Sequence, residues 1–224
     1  MLGKNLCITV LTGRRLGLLR RTLESLDRAD PSILRDSVVV AYLNGRDTES
    51  YGYLSQLGYI DRLEYRDTPK PEPIGNAVSR LANWVPTNCR YVMHMEDDWT
   101  CQASSSQFLG DASLILEHDA RIGQVRMRLK SEPTLGYHMI TQRKQSWVAA
   151  EAHGLKYQVS GLHFTFNPTL VRVTDLPKFY PADHELTACR RYLRHYPLVA
   201  QLVPGVFKHI GDEGRSLRAK LGRA

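Results

Sequence analysis

The sequence has little cysteine, no long apolar run and no ready-made nucleotide fingerprint. Its four cysteines are widely scattered and none forms a CxxC pair, which argues against a structural zinc site. No apolar stretch reaches the length of a membrane span, and the N-terminus lacks the apolar segment of a signal peptide. We therefore expect a cytoplasmic protein with reduced thiols. Neither the P-loop nor the GxGxxG pattern occurs, so ATPase and NAD-dependent functions lack their motifs.

The composition is that of one globular domain with an excess of positive charge. The 224 residues are 42% hydrophobic and 24% charged, which are ordinary values for a folded chain of this length. The formal net charge of +7 suggests a polyanionic partner, a membrane surface or an anionic substrate. The cations cluster near the N-terminus (Arg14, Arg15, Arg20, Arg21), around residues 190–194 (Arg190, Arg191, Arg194) and at the C-terminal end (Lys208, Arg215, Arg218, Lys220, Arg223).

The most informative segment is an apolar stretch, residues 91–95, that runs into Glu96, Asp97 and Asp98. Charges inside a sheet are costly, so the three acids belong at the end of a strand, facing a cleft. Adjacent carboxylates repel one another, and a divalent cation relieves that repulsion. Hard oxygen ligands suit Mg²⁺ or Mn²⁺, often together with substrate phosphates. A solvated acidic turn is the alternative interpretation of the tripeptide.

Strands and helices alternate through the first half of the sequence. Apolar, β-branched strand patterns are interleaved with stretches in which leucine, valine and alanine recur at helical spacing. This alternation predicts a mostly parallel sheet flanked by helices. The predicted strands are 6–12, 37–43, 62–65, 91–96 and 124–129, and the predicted helices are 16–26, 50–57, 74–85 and 104–118.

The second half of the sequence is less regular. Residues 137–151 are polar and are predicted to be irregular, whereas 159–172 resemble strand pieces around Asn167-Pro168. A helix is predicted over 182–196, followed by short apolar segments at 198–203 and 206–210. No repeat or linker is evident, so we expect a single domain.

Polar residues gather where the predicted parallel strands end. In open α/β sheets, ligands bind outside the carboxyl ends of the strands. The ends here carry Thr12-Gly13-Arg14, Asn44, Asp67 and the acids 96–98. Gly13 has no Cβ, so a nucleotide can approach this loop closely. The shared edge favours a metal site over a solvated turn.

Several segments, in order along the chain, resemble one family. They are Thr9–Arg14 with the leucine-rich helix after it, Leu43-Asn44-Gly45, Gly75-Asn76-Ala77-Val78, Glu96-Asp97-Asp98, 160–165 and 209–216. Together they resemble the GT-A type glycosyltransferases, especially the family-2-like ones, over about residues 6–216. The three acids stand where that family carries its DxD metal motif.

The resemblance implies a GT-A (Rossmann-like) single domain over residues 1–216 and a metal-dependent glycosyltransferase. Residues 1–100 would bind the nucleotide sugar, 101–216 would face the acceptor, and 217–224 would form a basic tail. A sugar, such as a hexose from a UDP-sugar donor, would pass to an acceptor hydroxyl with inversion. Mn²⁺ or Mg²⁺ would stabilise the leaving diphosphate as a Lewis acid. The positive charge would suit a polyanionic acceptor such as modified DNA or an anionic lipid or glycan.

The family pattern also implies roles for individual residues. Asp98 would bind the metal, with His209 as a further ligand. Acceptor contacts would come from Trp99, Gly161 and His163, although packing is an equal alternative for Trp99. Contacts to the nucleotide sugar would come from Thr12, Gly13, Arg14, Asn44, Asp67, Gly75, Asn76, Glu96, Asp97 and Arg215.

An inverting transfer needs a base for the acceptor hydroxyl. The family often places an acid at the start of a helix after the acceptor segment, and Asp183 and Glu185 stand there. We rank Glu185 above Asp183, which could instead cap the helix or complement its dipole. The polar segment 142–150, with Arg143, Lys144 and Trp147, is interpreted as a lid over the diphosphate.

Two other functions remain possible from the sequence. A nucleotidyltransferase can share the nucleotide-binding half, but it would carry a Gly-rich loop with a catalytic cation, which Arg14-Arg15 matches only in part. A basic nucleic-acid-binding protein would interleave aromatic residues with cations. Tyr192 and Tyr196, beside the arginines of 190–194, lend that function some support.

Overall fold

The computed structural model describes residues 2–129, 147–161, 164–166 and 168–211. The first half alternates strands and helices as the sequence predicts, and the predicted elements begin and end within a few residues of their expected places. The short helix Ser32–Arg35 was not predicted. The elements are β1 (Leu6–Thr12), α1 (Leu16–Ala29), α2 (Ser32–Arg35), β2 (Val38–Asn44), α3 (Thr48–Ser55), β3 (Arg62–Arg66), α4 (Ile74–Trp84) and β4 (Tyr91–Glu96).

The second half contains two strands that the sequence did not predict, Trp99–Cys101 and Val148–Ala152, and most of Leu155–Ser160 also precedes the predicted strand pieces of 159–172. Residues 148–152 fall mostly in the stretch expected to be irregular, yet they form a strand whose first residues are exposed. The elements are β5 (Trp99–Cys101), α5 (Gln107–His118), β6 (Ile122–Arg126), β7 (Val148–Ala152), β8 (Leu155–Ser160), β9 (Thr169–Arg172), α6 (Leu176–Phe179), α7 (Glu185–Tyr192), β10 (Leu198–Leu202) and β11 (Phe207–His209).

Within the described residues, nine strands form one sheet in the order β3-β2-β1-β4-β9-β6-β10-β8-β7. The first four strands are parallel. Beyond them β9 lies antiparallel between β4 and β6, β10 runs parallel to β6, and β8 and β7 complete an antiparallel edge. The expected fold class, a single-domain α/β protein with a large sheet flanked by helices, is confirmed.

Strand β1 lies in the middle of the parallel half because it is apolar on both faces. Side chains alternate across a strand, so Ile8 and Val10 join the core on the α1 side, where Leu23 packs. Cys7 and Leu11 join a second core on the α4 side. All seven residues of β1 are buried, as in parallel sheets covered on both sides.

The cysteines and the helices agree with the expectations from composition. All four cysteines are buried free thiols, so Cys89 and Cys101 do not pair. In the part of the chain that the structure describes, no helix has the length and apolar character needed to cross a bilayer.

Candidate active site at the ends of the parallel strands

Asp97 fixes the loop after β1 beside the acidic motif. Its side chain is fully buried, and its Oδ2 accepts hydrogen bonds from Thr12 Oγ1 at 2.7 Å and from the Gly13 amide at 3.1 Å. Its Oδ1 forms an ion pair with Arg15, while Thr22 Oγ1 donates to the Asp97 main-chain oxygen at 2.9 Å. Both carboxylate oxygens of Asp97 therefore have protein partners, and the residue links the acidic motif to the loop after β1 and to α1.

Asp98 is oriented differently and keeps one oxygen available. Its Oδ2 accepts a hydrogen bond from Arg15 at 2.7 Å and lies 3.4 Å from His209 Nε2. Its Oδ1 is buried and has no hydrogen-bond partner among the described residues. Buried carboxylate oxygens are normally paired, so an unpaired one needs an explanation such as an ion or a water.

His209 reaches Asp98 through a small two-stranded sheet. Strand β11 pairs antiparallel with β5, with His209 opposite Trp99, and the Ile210 amide donates to the Asp98 main-chain oxygen at 2.8 Å. A Cβ on Gly211 would lie 2.6 Å from Asp98 Oδ2 and 2.8 Å from His209 Nε2. Glycine at position 211 therefore keeps open the space into which both side chains point.

The donors around this space fit a divalent cation held partly by substrate. The described residues contain no group of three or more His, Cys, Asp or Glu side chains arranged to hold a metal ion. Asp98 and His209 supply two donors, and Mg²⁺ or Mn²⁺ commonly takes few protein ligands and completes its shell with water and phosphate oxygens. The unpaired Oδ1 of Asp98 is the observation that supports this fit.

Burial and mutual repulsion both act on the carboxylates of the acidic motif. Burial raises the pKa of Glu96 to about 8, and repulsion from Asp98 and Glu185 adds to the shift. Burial also raises the pKa of Asp97 to about 6, although Arg15 opposes that change. A cation bound here would favour the ionised carboxylates, because an opposite charge nearby stabilises the charged form.

The two candidate bases have different surroundings. His184, not Asp183, is the N-cap of α7, since its Nδ1 accepts a hydrogen bond from the Thr187 amide at 3.2 Å. The Asp183 side chain is 62% exposed. Glu185 accepts a hydrogen bond from the Phe166 amide at 2.8 Å, and its charge affects Glu96. Glu185 is therefore the candidate that lies near the acidic motif.

Gly75 and Ser79 of α4 hold the start of α7 in place. A Cβ on Gly75 would lie 2.2 Å from the carbonyl carbon and oxygen of Asp183, so the two backbones are in direct contact. Ser79 Oγ donates to the Ala182 carbonyl at 2.9 Å and accepts from the Ala182 amide at 2.8 Å. The predicted nucleotide-binding helix and the predicted base segment are thus packed together.

The other residues predicted to bind the nucleotide sugar lie around the same edge. Asn44 makes two hydrogen bonds of 2.9 Å with the Glu72 backbone. Arg14 has a positive φ of 56° and donates to the Pro69 carbonyl. Asp67 is exposed and pairs with an arginine at 2.6 Å, and Asn76 is exposed. Their roles in binding stay predictions.

The predicted acceptor residues are only partly described. Trp99 is 2% exposed, and its ring packs 4.9 Å from that of His209, so its contacts here are with protein. A Cβ on Gly161 would lie 3.3 Å from the Pro197 carbonyl oxygen. His163, Arg143, Lys144, Arg215 and the basic tail lie outside the described residues.

The fold brings to the site three arginines that were not among the residues expected to bind the donor, the metal or the acceptor. Arg15 bridges Asp97 and Asp98. Arg126, at the end of β6, is 4% exposed, and Arg128 is 7% exposed with its guanidinium 4.8 Å from the Trp99 ring. The signal was present, because an arginine within an apolar strand must face a cleft or a partner, as was argued for the acids.

The fold and the site define an α/β protein whose parallel strand ends meet at a buried pair of aspartates and a histidine. No protein-family model matches the sequence, and no curated protein does. Among solved structures, the chain resembles S. aureus TarS residues 1–349, with a TM-score of 0.62 and 13% identity over 93% of this chain and 61% of that one. At that identity, the likeness shows the fold.

Two further structures complete the comparison. S. aureus TarS 1–349 in complex with UDP-GlcNAc aligns with a TM-score of 0.60 and 13% identity, covering 90% of this chain and 57% of that one. A Pyrobaculum calidifontis mannosyltransferase in complex with GDP-Man and Mn²⁺ aligns with a TM-score of only 0.43 and 14% identity, over 55% of this chain and 34% of that one. The chain thus spans less than two thirds of the length of each structure it resembles.

Proposed function

We propose that the protein is a GT-A type, metal-dependent glycosyltransferase that uses a nucleotide diphosphate sugar, in particular a UDP-sugar, and inverts the anomeric centre. The observation that carries the proposal is the buried, unpaired Oδ1 of Asp98, whose other oxygen, Oδ2, lies 3.4 Å from His209 Nε2. Both residues lie at the strand ends, where α/β folds bind ligands. The shared fold with TarS, one of whose structures contains UDP-GlcNAc, supports the donor class.

Asp98 and His209 would hold Mn²⁺ or Mg²⁺, which would supply Lewis-acid stabilisation for a departing diphosphate. Asp97 has a different role, because its carboxylate is already taken up by Thr12, Gly13 and Arg15. It fixes the loop that a diphosphate would approach.

Glu185 is the proposed base for the acceptor hydroxyl. Its hydrogen bond from the Phe166 amide leaves lone pairs for a second contact, and its position near Glu96 places it on the acidic side of the site. Asp183 precedes the helix and is largely exposed. A general base must lie within hydrogen-bond reach of the proton it removes, and Glu185 is the better placed of the two.

The other functions gain no support from the structure. Arg15, which a nucleotidyltransferase would need for catalysis, is engaged with both aspartates. Tyr192 and Tyr196 are 0% and 5% exposed, so neither is available to stack on a nucleic-acid base. The four free thiols accord with the cytoplasmic location proposed for this enzyme.

The test is a thermal-shift screen of UDP, GDP, CDP and dTDP with and without Mn²⁺. A ligand at 100 times its Kd should raise the Tm of a chain this size by about 5–11 °C. We expect this shift for UDP only when Mn²⁺ is present. Asp98→Asn should abolish the shift, whereas the exposed control Asp36→Asn should keep it. If no nucleotide diphosphate gives a metal-dependent shift with the unaltered protein, the proposal is wrong.

A further inference from the structure

The end of β6 presents two arginines that the proposed donor chemistry does not use. Arg126 is the last residue of the strand and Arg128 follows two positions later, and both are more than nine-tenths buried. Residues two apart in extended chain lie on the same side. Their charges are close enough that Arg128 lowers the pKa of Arg126. Two neighbouring buried cations therefore lie on the acceptor side of the sheet.

Within the described residues, part of the Arg126 guanidinium lacks the hydrogen-bond partners that a buried guanidinium normally has. Its Nε and NH1 atoms are buried and have no hydrogen-bond partner among the described residues. The Trp147 ring covers it, with the guanidinium carbon 5.4 Å from the ring centroid. Burying an unpaired charge is unfavourable, so such a group is typically completed by an anion.

The carboxylate that attracts Arg126 does not satisfy it. Glu185 favours the charged form of Arg126, but burial is the larger influence and lowers the pKa of that guanidinium to about 9. Glu185 uses its Oε1 to accept the Phe166 amide. Among the described residues, Arg128 and Glu185 therefore act on Arg126 in opposite directions, and neither accounts for its unpaired Nε and NH1 atoms.

We propose that Arg126 and Arg128 form an oxyanion pocket that binds a phosphate or carboxylate group of the acceptor. The planar guanidinium fork suits two-point binding of such groups. Binding there would present a hydroxyl of the same molecule to Glu185. This proposal rests on the proposed glycosyltransferase function, because it assigns the acceptor of that reaction to a chemical class.

The sheet order favours the acceptor over the donor as the source of the oxyanion. The donor side is formed by the loop after β1 and by the end of β4, where Arg15 already lies beside Asp98. Strand β6, which carries Arg126, is separated from β4 by β9. The Arg126 side of the oxyanion pocket is therefore next to Glu185 and away from β1, whereas its Arg128 side lies 4.8 Å from the ring of Trp99, the residue after Asp98.

Inorganic phosphate is the probe, used in metal-free buffer at constant ionic strength against a chloride control. Phosphate at ten times its Kd should raise the Tm of the unaltered protein by about 3–6 °C. Arg126→Met should lose this response and be at least as stable as the parent in chloride, because it removes an unpaired buried charge. The control is Arg121→Met, since Arg121 precedes the other end of β6 and is 69% exposed. It should respond like the parent.

Two results would overturn the oxyanion pocket. An unchanged phosphate response in Arg126→Met would mean that the ion binds elsewhere, and equal destabilisation of that variant in both buffers would mean a purely structural role. Arg126→Lys is a second variant, which tests the proposal even if the methionine variant fails to fold. It keeps the charge but loses the fork, so its phosphate affinity should fall at least about tenfold, and parental affinity would count against the proposal.

A second arm of the experiment tests whether Arg126 binds the acceptor or the donor diphosphate. This arm contains Mn²⁺ and saturating UDP, with Mn²⁺ and UDP but no phosphate as its baseline. The phosphate response should persist if the oxyanion pocket serves the acceptor, and it should vanish if Arg126 binds the donor diphosphate, which would refute the assignment. Failure of the two proposals can be distinguished. Absence of metal-dependent UDP binding removes the glycosyltransferase function, whereas absence of an Arg126-dependent phosphate response removes only the oxyanion pocket.

Discussion

The contact between Gly75 and the start of α7 allows a quantitative prediction for Gly75→Ala. The added Cβ would lie 2.2 Å from the Asp183 carbonyl, and ordinary contact begins at 3.4 Å. The segment before α7 must therefore retreat by about 1.2 Å, the difference between those distances. The neighbour is backbone, not a flexible side chain, so no rotamer change can relieve the overlap.

The stability change combines two opposing effects. Overpacking of this kind typically costs about 1–3 kcal/mol, and a backbone neighbour places this case in the upper part of that range. Replacing glycine by alanine within a helix raises the free energy of unfolding by up to about 1 kcal/mol, because alanine has the higher helix propensity. The net loss should be about 1–2 kcal/mol, which corresponds to a fall in Tm of roughly 2–8 °C for a chain of this size.

The activity change should be larger than the stability change. A 1 Å misplacement of a catalytic group can cost about 100-fold, so kcat should fall by up to that factor if Glu185 moves with the segment. The matched control is Gly52→Ala in α3, where an added Cβ has nothing within 4 Å; it should gain about 0.5–1 kcal/mol. If Gly75→Ala keeps the parental Tm and kcat, α4 does not position the base segment.

Three further predictions concern single side chains. Burial lowers the pKa of His94 from 6.5 to about 4, so the unfolded chain takes up the proton first as pH falls. The stabilisation from neutral His94 is therefore complete above pH 6.5, and about 2–3 kcal/mol of it should be lost by pH 4.5. Urea unfolding of the parent and of His94→Gln across this pH range measures the loss. Glu185→Gln keeps an acceptor for the Phe166 amide but cannot remove a proton, so kcat should fall by roughly 10²–10⁴-fold while Asp183→Asn changes it little. Arg15→Met leaves the aspartates without their cation and should lower the free energy of unfolding by roughly 2–4 kcal/mol, part of which Mn²⁺ should restore.

Each of these predictions has a contradicting outcome. Parallel pH–stability curves for His94→Gln and the parent would show that His94 is not held neutral by burial. A larger loss of kcat in Asp183→Asn than in Glu185→Gln would reverse the order of the candidate bases. Identical Mn²⁺-induced shifts in Tm with and without Arg15 would show that the cation does not share Asp98 with it.

The parallel half of the fold was predictable because its signals are local. The Leu6–Thr12 strand and the helix after it are recognisable from the spacing of their apolar residues, which are mostly buried in the structure. Strand β7 was not predictable, since Val148–Ala152 is an edge strand with mostly exposed side chains and only a short apolar stretch, two of whose three residues are alanine. The insertion of β9 between β4 and β6 depends on long-range pairing, which no short window of sequence contains.

The proximity of some residues of the candidate site could be predicted from the sequence, but their individual contacts could not. Asp97, Asp98 and His209 were expected together, and the structure brings them together. The individual tasks of the two aspartates were not foreseeable, because they depend on where Arg15 and Thr12 lie in three dimensions. Arg126 could have been singled out as a charged residue within the predicted strand 124–129, but the extent of its burial depends on its place in the sheet, between β9 and β10.

The pairing of β11 with β5 has a consequence for how the site comes into being during synthesis. Asp98 and His209 are neighbours in space, yet nearly half of the chain separates them in sequence. Such distant contacts form late and are slow to close. A nascent or truncated chain that ends before Phe207 would carry the acids without their histidine. The proposed metal site would then mature only when nearly all of the described chain has folded, which would keep incomplete chains inactive.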